Sequence, residues 1–386
     1  MKINKIIVIA DILRHKGGQD GNADMCYGLF SGLITSVADI PVQLFNKEEL
    51  YYLQTQVYNY YGYDIQDNKC ESTIFSGVPT EWWKNLCFEE PNEKLLALIK
   101  IYFDNSLVIC REPSPLFIKA FDILKIPYIE LAIHSVRFLD DLVLAFRSSD
   151  NRIYNKLKSF EMDKEEIFYY ANLLKAEALR KYSYNYAPID DNSAIFFGQT
   201  AVDRSLLDYD NKKLVDLIMY KDEFIELTNK FDTVYYKPHP HYIDENIIKF
   251  VQSFKNTKII QNEINTYDLL SLPNLKCCSA ISSGTLNEAK YFGKEIKCFL
   301  KQPYIYSDEI ANKFNLNKKT HYISIAREFL MPNFWSEILK PLIKTKKTKE
   351  IKVNTTNKLR RIIGTSWGYI DTDSQYIISQ IKNNLR

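Results

Sequence analysis

Residues 233–241, Thr-Val-Tyr-Tyr-Lys-Pro-His-Pro-His, put a cation and an imidazole between two prolines. Lys237 and His239 are residue types that neutralise an anion and hydrogen-bond to it, and a phosphate suits the pair. On spacing alone, a stiff loop with a solvated His239 is the alternative. A second segment adds weight. Ser282-Ser283-Gly284-Thr285 leads into Leu286-Asn287-Glu288, which reads as a small-residue turn opening a helix. Hydroxyls and backbone N–H groups at such an opening form an anion site. Glu288, on the first turns, offers a carboxylate to paired ribose hydroxyls; its alternative is an exposed residue of an ordinary capped helix.

Two further sets of polar residues stand out. Gly198-Gln199 leads to Asp203, Arg204 and Ser205 in a polar loop after an apolar run. Glu130, His134, Arg137 and Asp141 are spaced i, i+4, i+7, i+11, which predicts one helix face. A polar stripe on an otherwise apolar segment is costly unless used or paired. It reads either as a cleft-facing set headed by Glu130 or as a surface face with internal ion pairs.

These residues need strands and helices to hold them. Residues 5–10, 107–110, 126–130, 193–197, 233–236 and 277–281 are short apolar runs, as expected for parallel strands covered on both faces. Pro238 and Pro240 stop one of them, making a rigid corner at a strand's carboxyl end. In open α/β sheets ligands bind just outside those ends. Helical patterns cover 23–38, 93–104, 115–124 and 151–186, with another helix expected from about Leu214. The polar, Gly-containing loop 11–22 lacks a GxGxxG fingerprint and reads as an acceptor contact or a mobile loop. Residues 187–192 read as a linker. The divisions predicted are a first domain over 1–189, a second over 190–345, and a basic segment over 346–386 with a helix crossing back.

Composition narrows the class. The 386 residues suffice for two domains, and 46% hydrophobic with 25% charged residues is ordinary for a globular chain. A net charge of +2 argues against nucleic acid as a partner. Seven cysteines without a CxxC pair predict reduced, buried thiols in a cytoplasmic protein, with neither a disulfide framework nor a zinc site. Lysines and arginines run from Lys344 to Arg361 against Glu350 alone. That tail reads as a solvated segment, or as a grip on anionic lipid at the inner face of the membrane.

Gln199-x-x-x-Asp203-x-Ser205, Tyr236-Lys237-Pro238-His239-Pro240 and Ser282-Ser283-Gly284 with Glu288 together resemble the bacterial β-Kdo glycosyltransferases of capsule and O-antigen synthesis. More distantly the chain is similar to the bacterial sialyltransferases. The motif match spans roughly residues 126–294. The resemblance implies a GT-B-like α/β fold, with two Rossmann-type domains whose parallel sheets face a central cleft. It implies a CMP-Kdo donor, a lipid-linked or oligosaccharide acceptor, no metal and no other cofactor. His239, Ser282 and Ser283 would hold the CMP phosphate, with Gly284, Lys237 and Gln199 beside them and Glu288 on the ribose. Asp203 would be the nucleophile of a retaining reaction, and Glu130 part of the catalytic set. Arg204, Arg137 or Lys237 would meet the ulosonic carboxylate, with His134 in the cleft. The acidic general-base motif of the sialyltransferases is not evident, since Glu89-Glu90 precedes Pro91. A sialyl- or polysialyltransferase and a non-catalytic glycan- or nucleotide-binding module are the competing readings.

Overall fold

The computed structural model describes residues 2–14, 21–65, 78–182, 189–240, 242–261, 264–300, 321–348 and 358–363. Two open sheets organise them. The first comprises β1 (Lys5–Ala10), β2 (Val42–Leu44), β3 (Ser106–Arg111), β4 (Tyr128–Ile133), β5 (Leu144–Ser148) and the late strand β13 (Ile323–Ile325). Its order is β13-β5-β4-β3-β1-β2. β1 to β4 are parallel, whereas β5 runs back along β4 and β13 is antiparallel to β5. Ile6 and Val8 of β1 face one apolar layer with Phe30, Ile34 and Trp335. Ile7 and Ile9 face the other, with Leu53, Trp83, Phe103 and Phe121. Burial on both faces is why this strand is an unbroken apolar run.

The second sheet holds β6 (Ser193–Phe197), β9 (Thr233–Lys237), β10 (Thr257–Ile259), β11 (Leu275–Ala280) and β12 (Glu295–Cys298). All are parallel, in the order β10-β9-β6-β11-β12. A small hairpin, β7 (Leu207–Asp208) with β8 (Lys213–Leu214), interrupts it after β6. Counted within this unit the order is 3-2-1-4-5, the doubly wound arrangement. Two Rossmann-like units with largely parallel sheets make the fold GT-B-like, as expected. The units touch near the carboxyl ends of their strands: Arg204 reaches the Pro113 carbonyl at 2.9 Å, and the Arg137 N–H reaches Glu288 at 2.8 Å.

Several sequence expectations are corrected. The helix predicted from Glu130 to Asp141 is a strand, a loop and a second strand. Leu131, Leu142, Leu144 and Phe146 are all buried in the first core, so the segment serves a sheet rather than a helix face. No helix begins near Leu214; the β7–β8 hairpin precedes helix Lys221–Lys230. The first sheet is not wholly parallel, because β5 runs against the other strands. The stretch 321–343, assigned by sequence to the second unit, packs on the first. β13 pairs with β5, and Trp335 in helix Pro332–Leu339 lies 5.6 Å from Phe30, centroid to centroid.

The tail is only partly a solvated run. Helix Lys358–Ile363 docks on the first unit through fully buried Leu359, and Arg360 is itself buried. The Arg360 guanidinium donates to the carbonyls of Leu139 and Arg137. Loop residues 15–20, linker residues 187 and 188, and the helix expected over 370–385 lie outside the described residues. Cys87, Cys110, Cys277 and Cys278 are buried free thiols.

Candidate active site

In the second sheet the winding direction reverses between β6 and β11, so their following loops separate and leave a crevice. The loop after β6 carries Gln199 and Asp203; the loop after β11 carries Ser282, Ser283 and Gly284; β9, beside β6, ends in Lys237-Pro238-His239. The three segments singled out by sequence therefore meet at one edge. Gln199 stitches two of them together. Its Oε1 accepts the Ser282 N–H at 2.8 Å, and its Nε2 donates to Ser205 Oγ at 3.1 Å and to Ser282 Oγ at 3.3 Å. Ser282 Oγ donates in turn to the Ser205 carbonyl. Gln199 and Ser282 are thus a frame for the site.

Asp203 caps the 3-10 turn Arg204–Leu206, its Oδ1 accepting the Ser205 N–H at 2.8 Å. It stays half-buried, with the carboxylate anchored at one oxygen. Ser283 Oγ accepts the Thr285 N–H at 3.3 Å, opening a helix of only five residues. Anion binding here would rest on local donors more than on a long helix dipole. His239 is half-buried at the corner, bridged to Tyr242.

Two glycines are required by close approach. A Cβ on Gly198 would stand 2.7 Å from the Tyr236 hydroxyl and 3.2 Å from the His239 nitrogen. Gly198→Ala is therefore expected to destabilise the fold by about 1–3 kcal/mol, as overpacking does, and to disturb the His239 corner. Denaturant titration checks it; an unchanged midpoint would contradict it. A Cβ on Gly284 would lie 2.9 Å from Ser135 Cβ of the first unit, so Gly284 lets the two units close.

Other sequence-selected residues have different surroundings. Lys237 is 5% exposed, and its ammonium donates to the carbonyls of Ile264 at 2.9 Å and Gln261 at 3.3 Å. It ties β9 to the segment after β10. Glu288 is 4% exposed, with Oε1 accepting the Arg137 N–H at 2.8 Å and the Tyr267 hydroxyl at 3.0 Å. Burial lifts its carboxyl to about 7, and the donors from Arg137 and Tyr267 only partly oppose this. His134 is buried, its Nδ1 accepting the Val136 N–H at 3.0 Å, and burial pushes it down to about 3. His134, expected in the cleft, is turned into its own loop as a neutral imidazole. Arg137 shares that loop rather than a helix face.

The Glu288 shift has a stability consequence. The folded value lies above the ordinary 4.5. Its contribution is therefore full below about 4.5 and lost as pH rises through about 7. Glu288→Gln removes that loss, so its Tm relative to the native chain rises between pH 4.5 and 8. Parallel Tm–pH profiles would contradict this.

Glu130 is fully buried. Its Oε2 is paired with Arg147, whose Nε lies 2.6 Å away; its Oε1 accepts Tyr322 Oη at 2.6 Å and Arg204 at 3.4 Å. Burial alone would raise its carboxyl, but Arg147 and Arg204, with the Tyr322 hydroxyl, hold it below the usual range. Both carboxylate oxygens of Glu130, expected in the catalytic set, are thus held by protein donors in this structure. The acid at the carboxyl end of β1 is Asp11. Its Oδ1 accepts the Leu13 N–H at 3.0 Å and its Oδ2 the Trp83 indole N–H at 3.4 Å. Burial raises its carboxyl against the pull of Arg14 and Arg204. Sequence reasoning passed over Asp11; the signal was an acid ending the first apolar strand. A pocket of about 160 Å³ adjoins this edge, lined by Gly198, Gln199, Tyr236, Tyr242, Asp216 and Asp244 among others.

Among the described residues no His/Cys/Asp/Glu cluster could hold a metal ion, and no helix is long and apolar enough to cross a membrane. Residues 124–301 match the family model described as alpha-2,8-polysialyltransferase (POLYST). No curated protein matches. Similar solved structures include the KpsC beta Kdo 2,7 transferase of Thermosulfurimonas dismutans, 16% identical over 54% of this chain and 69% of that one, with a TM-score of 0.33. The beta Kdo 2,4 transferase of the same organism is 18% identical over 50% and 68%, with a TM-score of 0.32. The UDP-GlcNAc 2-epimerase of Neisseria meningitidis is 10% identical over 98% and 100%, with a TM-score of 0.27. The motif resemblance and the family match point to one class, the glycosyltransferases of sialic- and Kdo-type sugars.

Proposed function

We propose that the protein transfers an ulosonic acid, Kdo in the first instance, from its CMP-activated form to a glycan acceptor with retention of configuration. What supports this reading is that the loops bearing Asp203, His239 and Ser283 follow β6, β9 and β11, neighbouring strands of a parallel, doubly wound sheet. Asp203 attacks the anomeric carbon. The bond to the CMP phosphate breaks, and the leaving charge is met by His239 and the Ser283 turn. The covalent glycosyl ester is then attacked by an acceptor hydroxyl, whose proton passes to Asp11 across the cleft. Two inversions give net retention.

Asp11 stands at the carboxyl end of β1, and burial raises its proton affinity above that of an ordinary carboxylate, which favours a base. Arg204 and Lys237 donate to protein acceptors, which weighs against either as the carboxylate-binding cation. The scheme routes no step through a metal. The acceptor is a lipid-linked or free oligosaccharide of O-antigen or capsule type, met in the cytoplasm at the inner face of the membrane.

A sialyl- or polysialyltransferase is the second reading, favoured by the family match over residues 124–301. A transfer assay decides, with CMP-Kdo generated in place or CMP-sialic acid as donor and short O-antigen-like acceptors. Kdo transfer with a β product by anomeric NMR is expected. Sialyl transfer alone would favour the second reading, and turnover of neither donor would overturn both.

A further inference from the structure

We infer that Glu130 is a positioning residue that grips Arg204 across the cleft and thereby fixes the loop bearing Asp203. Its catalytic consequence rests on the proposed reaction; its geometry does not. Glu130 sits in the middle of β4, opposite Arg147 in the β4–β5 register. One carboxylate oxygen is satisfied by that neighbour within its own sheet. The other faces Tyr322 and a guanidinium from the second unit. Arg147 lies 4.8 Å from the centre of the Tyr322 ring, so the cluster is packed as well as paired.

Arg204 makes a second contact with the first unit, at the Pro113 carbonyl. It is also the chain neighbour of Asp203 and the first residue of the turn that Asp203 caps. Any movement of Arg204 is therefore passed to the Asp203 backbone. A buried carboxylate that loses a partner is costly, so the grip is held firmly once formed. Glu130 has no exposed surface, and its contact with Arg204 links it to the loop bearing Asp203.

The test uses Glu130→Gln, Arg204→Gln and the double variant of the full chain. A displaced nucleophile loses rate more than affinity. Each single variant is expected to lower kcat about 10²-fold, with the Kd for CMP within about twofold of native. The double variant should be no worse than the poorer single, because both break one contact. Backbone amides of residues 198–206 should exchange hydrogen faster in each. Should Glu130→Gln fail to fold, Arg204→Gln at the seam between the units still reads the same loop. Multiplicative losses, a raised Kd with unchanged kcat, or native exchange in the loop of folded variants would overturn the inference. If the native chain turns over neither CMP-Kdo nor CMP-sialic acid, the proposed function fails, and loop exchange still decides the positioning role.

Discussion

Asp203→Asn is expected to lower transfer by at least about 10³-fold, in the range seen when a nucleophile is removed, while CMP binding stays within about twofold. The asymmetry follows from geometry. One Asp203 oxygen accepts the Ser205 N–H, an anchor that an amide oxygen can still provide, so the turn survives. What is lost is the carboxylate that forms the glycosyl ester. If Asp203 only capped the turn, the variant would keep most of its rate. Calorimetry with CMP and a coupled transfer assay separate the outcomes. A near-native rate would remove Asp203 as nucleophile and favour an inverting reaction.

His239→Ala is expected to weaken CMP binding about 10- to 100-fold, since a hydrogen bond to a charged group is worth about 1.5–3 kcal/mol. The corner is stiff: Pro238 is buried, the bridge to Tyr242 closes the turn, and Gly198 packs beneath its backbone. Removing the imidazole should therefore leave the fold intact and delete one phosphate contact. Lys237 is no substitute, as its ammonium is held by the Gln261 and Ile264 carbonyls. The effect should be on affinity for CMP and much less on affinity for cytidine. Equal losses for both ligands, or none, would contradict a phosphate role.

The parts legible in the sequence share a physical reason. Strands at 193–197 and 233–237 are buried throughout and 275–280 at all but Lys276, so each is a compact, largely apolar run with polar residues soon after it. Their carboxyl ends are where a doubly wound sheet places its ligands, and the motif residues follow them. The segment 130–141 misleads because a helical spacing of Glu130, His134, Arg137 and Asp141 arises by chance. There Glu130 pairs within the sheet, His134 turns inward, and Asp141 accepts N–H groups of Leu359 and Arg360 from far along the chain. Lys237 and Glu288 mislead for a related reason. Their types suit a nucleotide, but remote donors and acceptors occupy them, and no local pattern announces such partners. The return of 321–343 to the first unit is equally hidden, because β13 is three residues long and its pairing with β5 is non-local. Asp11 was within reach, as the polar end of the first apolar strand.

The most direct test of the central claim is to trap the covalent adduct. The full chain would be mixed with CMP-Kdo in the absence of acceptor, quenched in acid, and the peptide containing Asp203 examined by tandem mass spectrometry. A mass increase of one Kdo unit on Asp203, absent from Asp203→Asn and lost on adding acceptor, is the predicted result. Release of CMP with no adduct on that peptide, together with an inverted product, would contradict the account.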